Sequence, residues 1–441
     1  MENVSVNLAG LYLLFTREPF ALMIGEELEY YVTSEGGLLG IILIDNLDSD
    51  FSTIVLSRDE SRQYKAISIK VDIPNLDEAR DTLKKEMSKD HIIFHENAKF
   101  FDVFEQINKP QQEHPHFVLL RDNSAYSSAK EAIKEVSYHY KDVDGNFVDQ
   151  FQSLNGFDAR LWELYLYCFF REQLFNFNRN HEAPDYIIEK GRTKIAVEAV
   201  IISRKDKNFE PKHPKTPDEM NRLLQNEIPL MVSNAIYDKA KKKYWEKTHV
   251  KGLPFALAIA DFHDAGSMTW TFEAFLTVLY GLKPTIQNDE NNASTQGFEQ
   301  ITSFTKTNGT EIPAGLFHQE HYNDISAIIY NPTATISKFN RIGRQAGLGT
   351  LETTLTWFAA FHDHTAGALV PKMAMLTIDE SSGEPWSGGA TIFHNPNARV
   401  RLDPMLFDDQ VAHYHFEDGK IVSIIPEVHP YSGWVLNLAK K

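Results

Sequence analysis

A chain of 441 residues is too long for one ordinary hydrophobic core, so two or three domains are expected. Its 42% hydrophobic and 24% charged residues are those of a soluble globular protein, which sets aside disordered, fibrous and membrane classes. A net charge of −17 disfavours promiscuous binding to nucleic acid, and one cysteine, Cys168, excludes an internal disulfide and thiolate zinc knuckles.

Near the start, "LAGLYLLF" is too short to span a bilayer and follows no basic segment, so no membrane association and a cytoplasmic location are expected. "GLLGIILIDN" and "STIVLSRD" predict strands, "YKAISIKVDI" alternates at period two, and "NLDEARDTLKKEM" predicts a helix capped by Asn75. These form an N-terminal α+β domain over residues 1–125. "HENAKFFDVFEQINKPQQEHPH" has the Pro and Gln content of a connector, with a boundary between about 110 and 150.

The strongest order lies in residues 150–284. "NGFDARLWELYLYCFFREQLFNF" predicts a largely buried helix with Asn155 and Asp158 at its start and Cys168 as a packing residue. Glu163 sits within it between Trp162 and Leu164, where an unpaired carboxylate is costly to desolvate, so it needs a partner. "PDYIIEKG" and "RTKIAVEAV" predict two strands joined around Gly191, followed by a helix interrupted near Pro229 and a buried strand "LPFALAIADF". The polar run "TIQNDENNASTQGFEQ" reads as a linker into a strand-rich domain over residues 300–441.

That last region holds two His-x-His pairs, His362/His364 and His413/His415. On a strand each pair shares a face and suits a zinc or iron site, although 17 histidines make such pairs expected without function. "TISKFNRIGRQAG" offers Lys338, Arg341 and Arg344 with Phe339, either a nucleic-acid contact or a solvated helix start.

A turn at Gly191 places Asp185 opposite residues 197 and 198, bringing its carboxylate near that of Glu198. Two carboxylates raise each other's pKa unless a cation lies between them, and Mg²⁺ or Mn²⁺ takes oxygen ligands of this kind. Glu163 could join such a site directly or through a water.

The leading helix with Glu163, the "PD" of Pro184 and Asp185, and Glu198 in an apolar strand resemble the PD-(D/E)XK nuclease superfamily over residues 155–262, a quarter of the chain. The resemblance implies an α/β fold with a restriction-endonuclease-like αβββαβ core, flanked by the N-terminal α+β and C-terminal strand-rich domains. It implies Asp185, Glu198 and the carbonyl of Ala199 as metal ligands, Glu163 as accessory acid, and phosphodiester hydrolysis as the reaction. The motif lysine belongs two residues after the glutamate, where Val200 stands. Three readings compete: Lys194, which is some 13 Å away along the strand at about 3.3 Å per residue; Lys239 or Lys243, spaced i, i+4 on the following helix; or loss of the lysine and of activity.

Residues 192–251 carry fourteen Lys or Arg against eight Asp or Glu, a local charge of +6. Arg204, Lys205 and Lys207 after the strand, and Lys241 and Lys242 on the following helix, are the expected phosphate contacts, with DNA favoured over RNA. The expected function is Mg²⁺-dependent endonuclease action in phage defence or genome maintenance; the alternative is an inactive nuclease fold that binds nucleic acid or protein. A protein partner or a homo-oligomer fits either, and no GxxxxGK[ST] signature couples the chain to a nucleotide triphosphate.

Overall fold

The structure is a computed structural model that describes residues 1–18, 21–33, 36–89, 100–107, 109–203, 216–288, 294–306 and 308–439. The architecture is mixed α/β with several sheets, of which an eight-stranded one organises the molecule.

The N-terminal part is an antiparallel meander in the order β1 (Glu2–Asn3), β2 (Gly25–Val32), β3 (Leu38–Asp45), β4 (Phe51–Arg58), β5 (Tyr64–Ile73). Helix α1 (Val6–Leu13) covers one face, and the single turn α2 (Ala21–Ile24) leads into β2. Helix α3 (Leu76–Met87) covers the other, laying Ala79, Leu83 and Met87 on Leu38, Ile42 and Val55. Asn75 caps α3 by accepting the Glu78 N–H. The contact is close at Gly40, where a Cβ would lie 2.6 Å from the Met87 sulfur.

The described part of the segment expected as a connector is irregular up to a 3-10 turn at Pro110–Gln112, and helices begin only at its end. Helices α4 (Pro115–Asp122), α5 (Ser127–Ser137) and α6 (Phe147–Gln152) pack on α7 (Phe157–Glu172) in one core. Pro115 sits in the first turn of α4, where its missing N–H costs nothing, so the proline of "EHPH" starts a helix. The start of α7 also differs from expectation: Gly156 is the N-cap and no side chain caps it.

Three strands follow, β6 (Asn176–Asn178), β7 (Tyr186–Lys190) and β8 (Thr193–Ile202), then α8 (Pro217–Arg222), a π-helical turn, α9 (Ile228–Ala240) and β9 (Phe255–Asp261). Pro229 lies in the first turn of α9, so the break expected near it is the start of that helix. Helix α10 (Phe272–Tyr280) leads into β10 (Leu282–Asn288), which pairs with β11 (Ser294–Gln300) in a ribbon where a linker was expected. Both faces of β10 meet solvent, so its polar sequence carries no strand periodicity. A small hairpin of β12 (Ser303–Thr305) and β13 (Glu311–Pro313) precedes β14 (Ala327–Tyr330) and α11 (Ile336–Gln345).

The rest of the chain supplies β15 (Thr353–Phe361), β16 (Lys372–Ile378), β17 (Thr391–His394), β18 (Ala412–Glu417), β19 (Lys420–Ile424) and β20 (Pro430–Ala439). Three of these form a separate sheet in the order β16-β15-β20; the others complete the large sheet β19-β18-β17-β14-β9-β8-β7-β6. The run at 285–300 therefore separates no sheet: strand β14, from beyond it, pairs in parallel with β9.

Alternation along β8 divides the two cores. Ile195 and Val197 face α7 with Trp162, Phe169 and Phe170, while Ala196, Val200 and Ile202 face α9 with Val232 and Ile236. Glu198 shares the α9 face. Lys338, Arg341 and Arg344 of α11 are buried, and the first two clasp Glu384, so this stretch is structural and offers no surface to nucleic acid. Among the described residues no helix is long and apolar enough to cross a membrane.

Candidate active site

The hairpin of β7 and β8 turns at Gly191 and Arg192, between paired Lys190 and Thr193, and pairs Tyr186 with Val197. Continued by one residue, this register sets Asp185 beside Glu198. Gly191 has φ +60°, the left-handed value that a two-residue hairpin turn needs and glycine adopts without strain. The half-buried Asp185 accepts the backbone N–H of Ala199 through Oδ2 at 2.8 Å, which fixes its carboxylate at the start of the strand pair.

Glu198 is 4% exposed. Burial first, and the charge of Asp185 second, push its carboxyl up to about 7. Across from it, Lys239 in the last turn of α9 donates to Glu198 Oε1 at 2.5 Å and lies 3.5 Å from the Ala199 carbonyl oxygen. Burial works against this ammonium, but Glu198 more than offsets it and the lysine pKa rises. The ammonium thus contacts two of the three oxygens that the sequence offered to a metal.

Lys243 does not join it. Helix α9 ends at Ala240, and Lys243 takes the left-handed conformation with φ 47°, so the i, i+4 relation that would have aligned it with Lys239 is lost. Its ammonium lies 3.3 Å from Glu246. Lys194 pairs with Glu189 at 2.8 Å near the turn. Lys241 covers the Tyr237 ring, and Lys242 is near enough to lower the Glu198 carboxyl in part. Arg204, Lys205 and Lys207 lie outside the described residues.

Glu163 finds its partner within its own helix. Arg160, one turn earlier, donates to both carboxylate oxygens at 3.0 and 2.7 Å, and Tyr140 adds a hydroxyl at 3.1 Å. Burial, then Asp185, raise its pKa, so the two acids sense each other although Arg160 holds Glu163. The i−3 spacing of Arg160 was readable as a helical pair. Arg179, which donates to Tyr140 and stacks on its ring, comes from a distant loop and had no such signal. Nor had His249, whose Nε2 lies 2.8 Å from the Ala183 carbonyl and whose ring stacks on His181 at 3.7 Å, packing the α9–β9 connection against the loop that carries Asp185.

Asp185, Glu198 and the Ala199 carbonyl are a hard, all-oxygen donor set of the kind Mg²⁺ takes. The donor chemistry fits a divalent cation, provided Lys239 swings clear of the Ala199 oxygen. A different trio, His114, His116 and Asp158, brings ligand atoms within 4.8 Å of one another. Its His114 accepts the His116 N–H through Nδ1 at 3.1 Å, which puts the ring proton on Nε2 and makes that nitrogen a donor instead of a metal ligand. His362 bonds to the Tyr431 hydroxyl in the wall of a cavity of about 520 Å³, and His364 bonds to the Pro426 carbonyl.

Comparison with family models, with curated proteins and with solved structures returns no match for this chain.

Proposed function

We propose that the protein is a Mg²⁺- or Mn²⁺-dependent nuclease of the PD-(D/E)XK type, acting on DNA in preference to RNA. The observation that carries the reading is the meeting of Asp185, just before β7, Glu198 of β8 and Lys239 of α9 at one half-buried point. The order α7-β6-β7-β8-α9-β9 agrees with the αβββαβ core of that superfamily. Phage defence or genome maintenance is the setting that the resemblance suggests.

In this reading Asp185, Glu198 and the Ala199 carbonyl hold the cation, which supplies a water of lowered pKa and a Lewis acid for the phosphoryl oxygens. Lys239 fills the place of the motif lysine from the neighbouring helix. Its ammonium favours the ionised form of Glu198 against burial and is positioned to offset charge on a non-bridging oxygen. Arg160 and Tyr140 keep Glu163 from adding an uncompensated charge beside Asp185. Lys241 and Lys242, exposed at the end of α9, meet the backbone phosphates.

One observation favours a second reading, an inactive nuclease fold that binds nucleic acid or protein. Lys239 already satisfies Glu198 and reaches Ala199, so the pair is neutralised without a metal. Cleavage of circular and linear DNA, with an RNA control, in Mg²⁺ or Mn²⁺ against EDTA separates the two. Metal-dependent cleavage lost in Asp185→Ala and Glu198→Ala supports the nuclease. Absence of cleavage, together with absence of Mg²⁺ binding at the pair, supports the inactive fold.

A further inference from the structure

Three strands away from Glu198, on the opposite face of the large sheet, β17 ends in His394 and its parallel neighbour β18 carries His413 and His415. The register pairs Ile392 with His413 and Phe393 with Tyr414, so His394 comes beside His415. The i, i+2 spacing turns His413 and His415 to the same face as His394. Three imidazoles from adjacent strands are therefore neighbours, with His394 between the other two, whose ring centroids stand 6.4 Å apart. His394 Nε2 and His413 Nδ1 lie 2.9 Å apart, and the His415 ring stacks on His394 with centroids 4.3 Å apart and planes 8° from parallel.

The chemistry of each ring suits a ligand. His394 turns Nε2 toward His413 Nδ1, and the Leu402 backbone lies near the same ring. The backbone behind it is also fixed: the Tyr280 hydroxyl donates to the carbonyls of both His394 and Tyr414. His415 has no hydrogen-bond partner among the described residues and stands, half-buried, in the wall of a cleft of about 260 Å³ that Arg401 and Glu417 also line.

We propose that His394, His413 and His415 bind a divalent transition cation of the zinc class, with the fourth coordination position open to the cleft. Nitrogen donors at about 2.0–2.1 Å from such an ion stand about 3.4 Å apart in tetrahedral geometry. The His394–His413 pair therefore opens by about half an ångström, His413 takes the tautomer with its proton on Nε2, and His415 turns from its stack to complete the set. The three nitrogens select against Mg²⁺, so this site is chemically separate from the carboxylate pair on β7 and β8. An ion here would tie β17 to β18 and present an open, Lewis-acidic position to a small anionic or water-derived ligand.

The test uses the full chain, stripped of metal by a chelator and titrated with Co²⁺ in excess Mg²⁺, which holds oxygen sites occupied. Visible ligand-field absorption reports nitrogen ligation, and Zn²⁺ is added to displace it. One equivalent of Co²⁺ is expected, bleached by Zn²⁺, abolished in His394→Gln and His413→Gln, and weakened by about tenfold or more in His415→Gln. The half-buried His415 variant keeps the test decisive if either buried variant fails to fold. His116→Gln is the control for the other histidine trio and is expected to bind Co²⁺ as the unaltered chain does. Absence of Co²⁺ absorption in the unaltered chain, binding that survives His415→Gln at full affinity, or binding lost with His116 would each overturn the proposal.

Discussion

Glu198 sits where burial and the charge of Asp185 both oppose its ionisation, with Lys239 as the opposing influence. Its folded pKa of about 7 lies above the ordinary carboxyl value of 4.5. The protonated form is therefore the one that folding favours: its contribution is complete below the ordinary value and is lost as pH rises through about 7. Buried histidines such as His139 and His429 pull the other way, so the contribution of Glu198 is read as a difference: Glu198→Gln is expected to gain in melting temperature relative to the unaltered chain between pH 5 and pH 8, as thermal unfolding in EDTA would show. Mg²⁺ is expected to raise the melting temperature of the unaltered chain on the alkaline side only. Lys239→Met removes one partner of a largely buried pair, so a loss of about 3 kcal/mol is expected near pH 8 and clearly less near pH 5, where Glu198 is protonated. Equal losses at both pH values in denaturant titrations would contradict this account of the pair. Asp185 and Glu198 were legible as neighbours because the turn at Gly191 sets the register by counting alone. Arg160 was equally legible one turn from Glu163, but a metal seemed the readier partner for that acid.

At the scale of elements, the end of α9 decides which lysines serve the site. Lys239 is the last basic residue inside the helix, while Lys241, Lys242 and Lys243 lie beyond Ala240. "KAKKK" contains neither glycine nor proline, and the left-handed residue that turns the chain is Lys243 itself, so the helix stop had no signal in the sequence. On the nuclease reading, the lysines past the stop contact phosphates without reading bases. The double substitution Lys241→Ala/Lys242→Ala is then expected to lower affinity for unrelated duplexes alike and to reduce the slope of log affinity against log salt by about 2. Fluorescence anisotropy across a salt series measures both. An unchanged slope would remove these two residues from the interface. The connector before α7 and the ribbon of β10 and β11 escaped sequence reading for related reasons: proline marks a helix start as readily as a break, and a ribbon open to solvent on both faces has no apolar alternation to detect.

Across the whole molecule, strand order overrides chain order. The mixed α/β class was visible in the alternation of apolar runs, but not the sharing of one sheet by residues 176–261 and 327–424, because pairing partners so far apart leave no local trace. A fragment ending at residue 300 would expose the edge of β9, all seven of whose residues are buried, and would lose about a third of the core on the two faces. Such a fragment is expected to be insoluble or molten, and a soluble, cooperatively melting fragment by circular dichroism would restore an independent middle domain. The same strand order constrains synthesis. When Asp261 leaves the ribosome, β9 has β8 on one side and nothing on the other; β14 is made only at Ala327, several seconds later at about 5–20 residues per second. During that interval the nascent chain displays an apolar strand edge, which makes its yield in cells sensitive to translation speed and to the supply of chaperones.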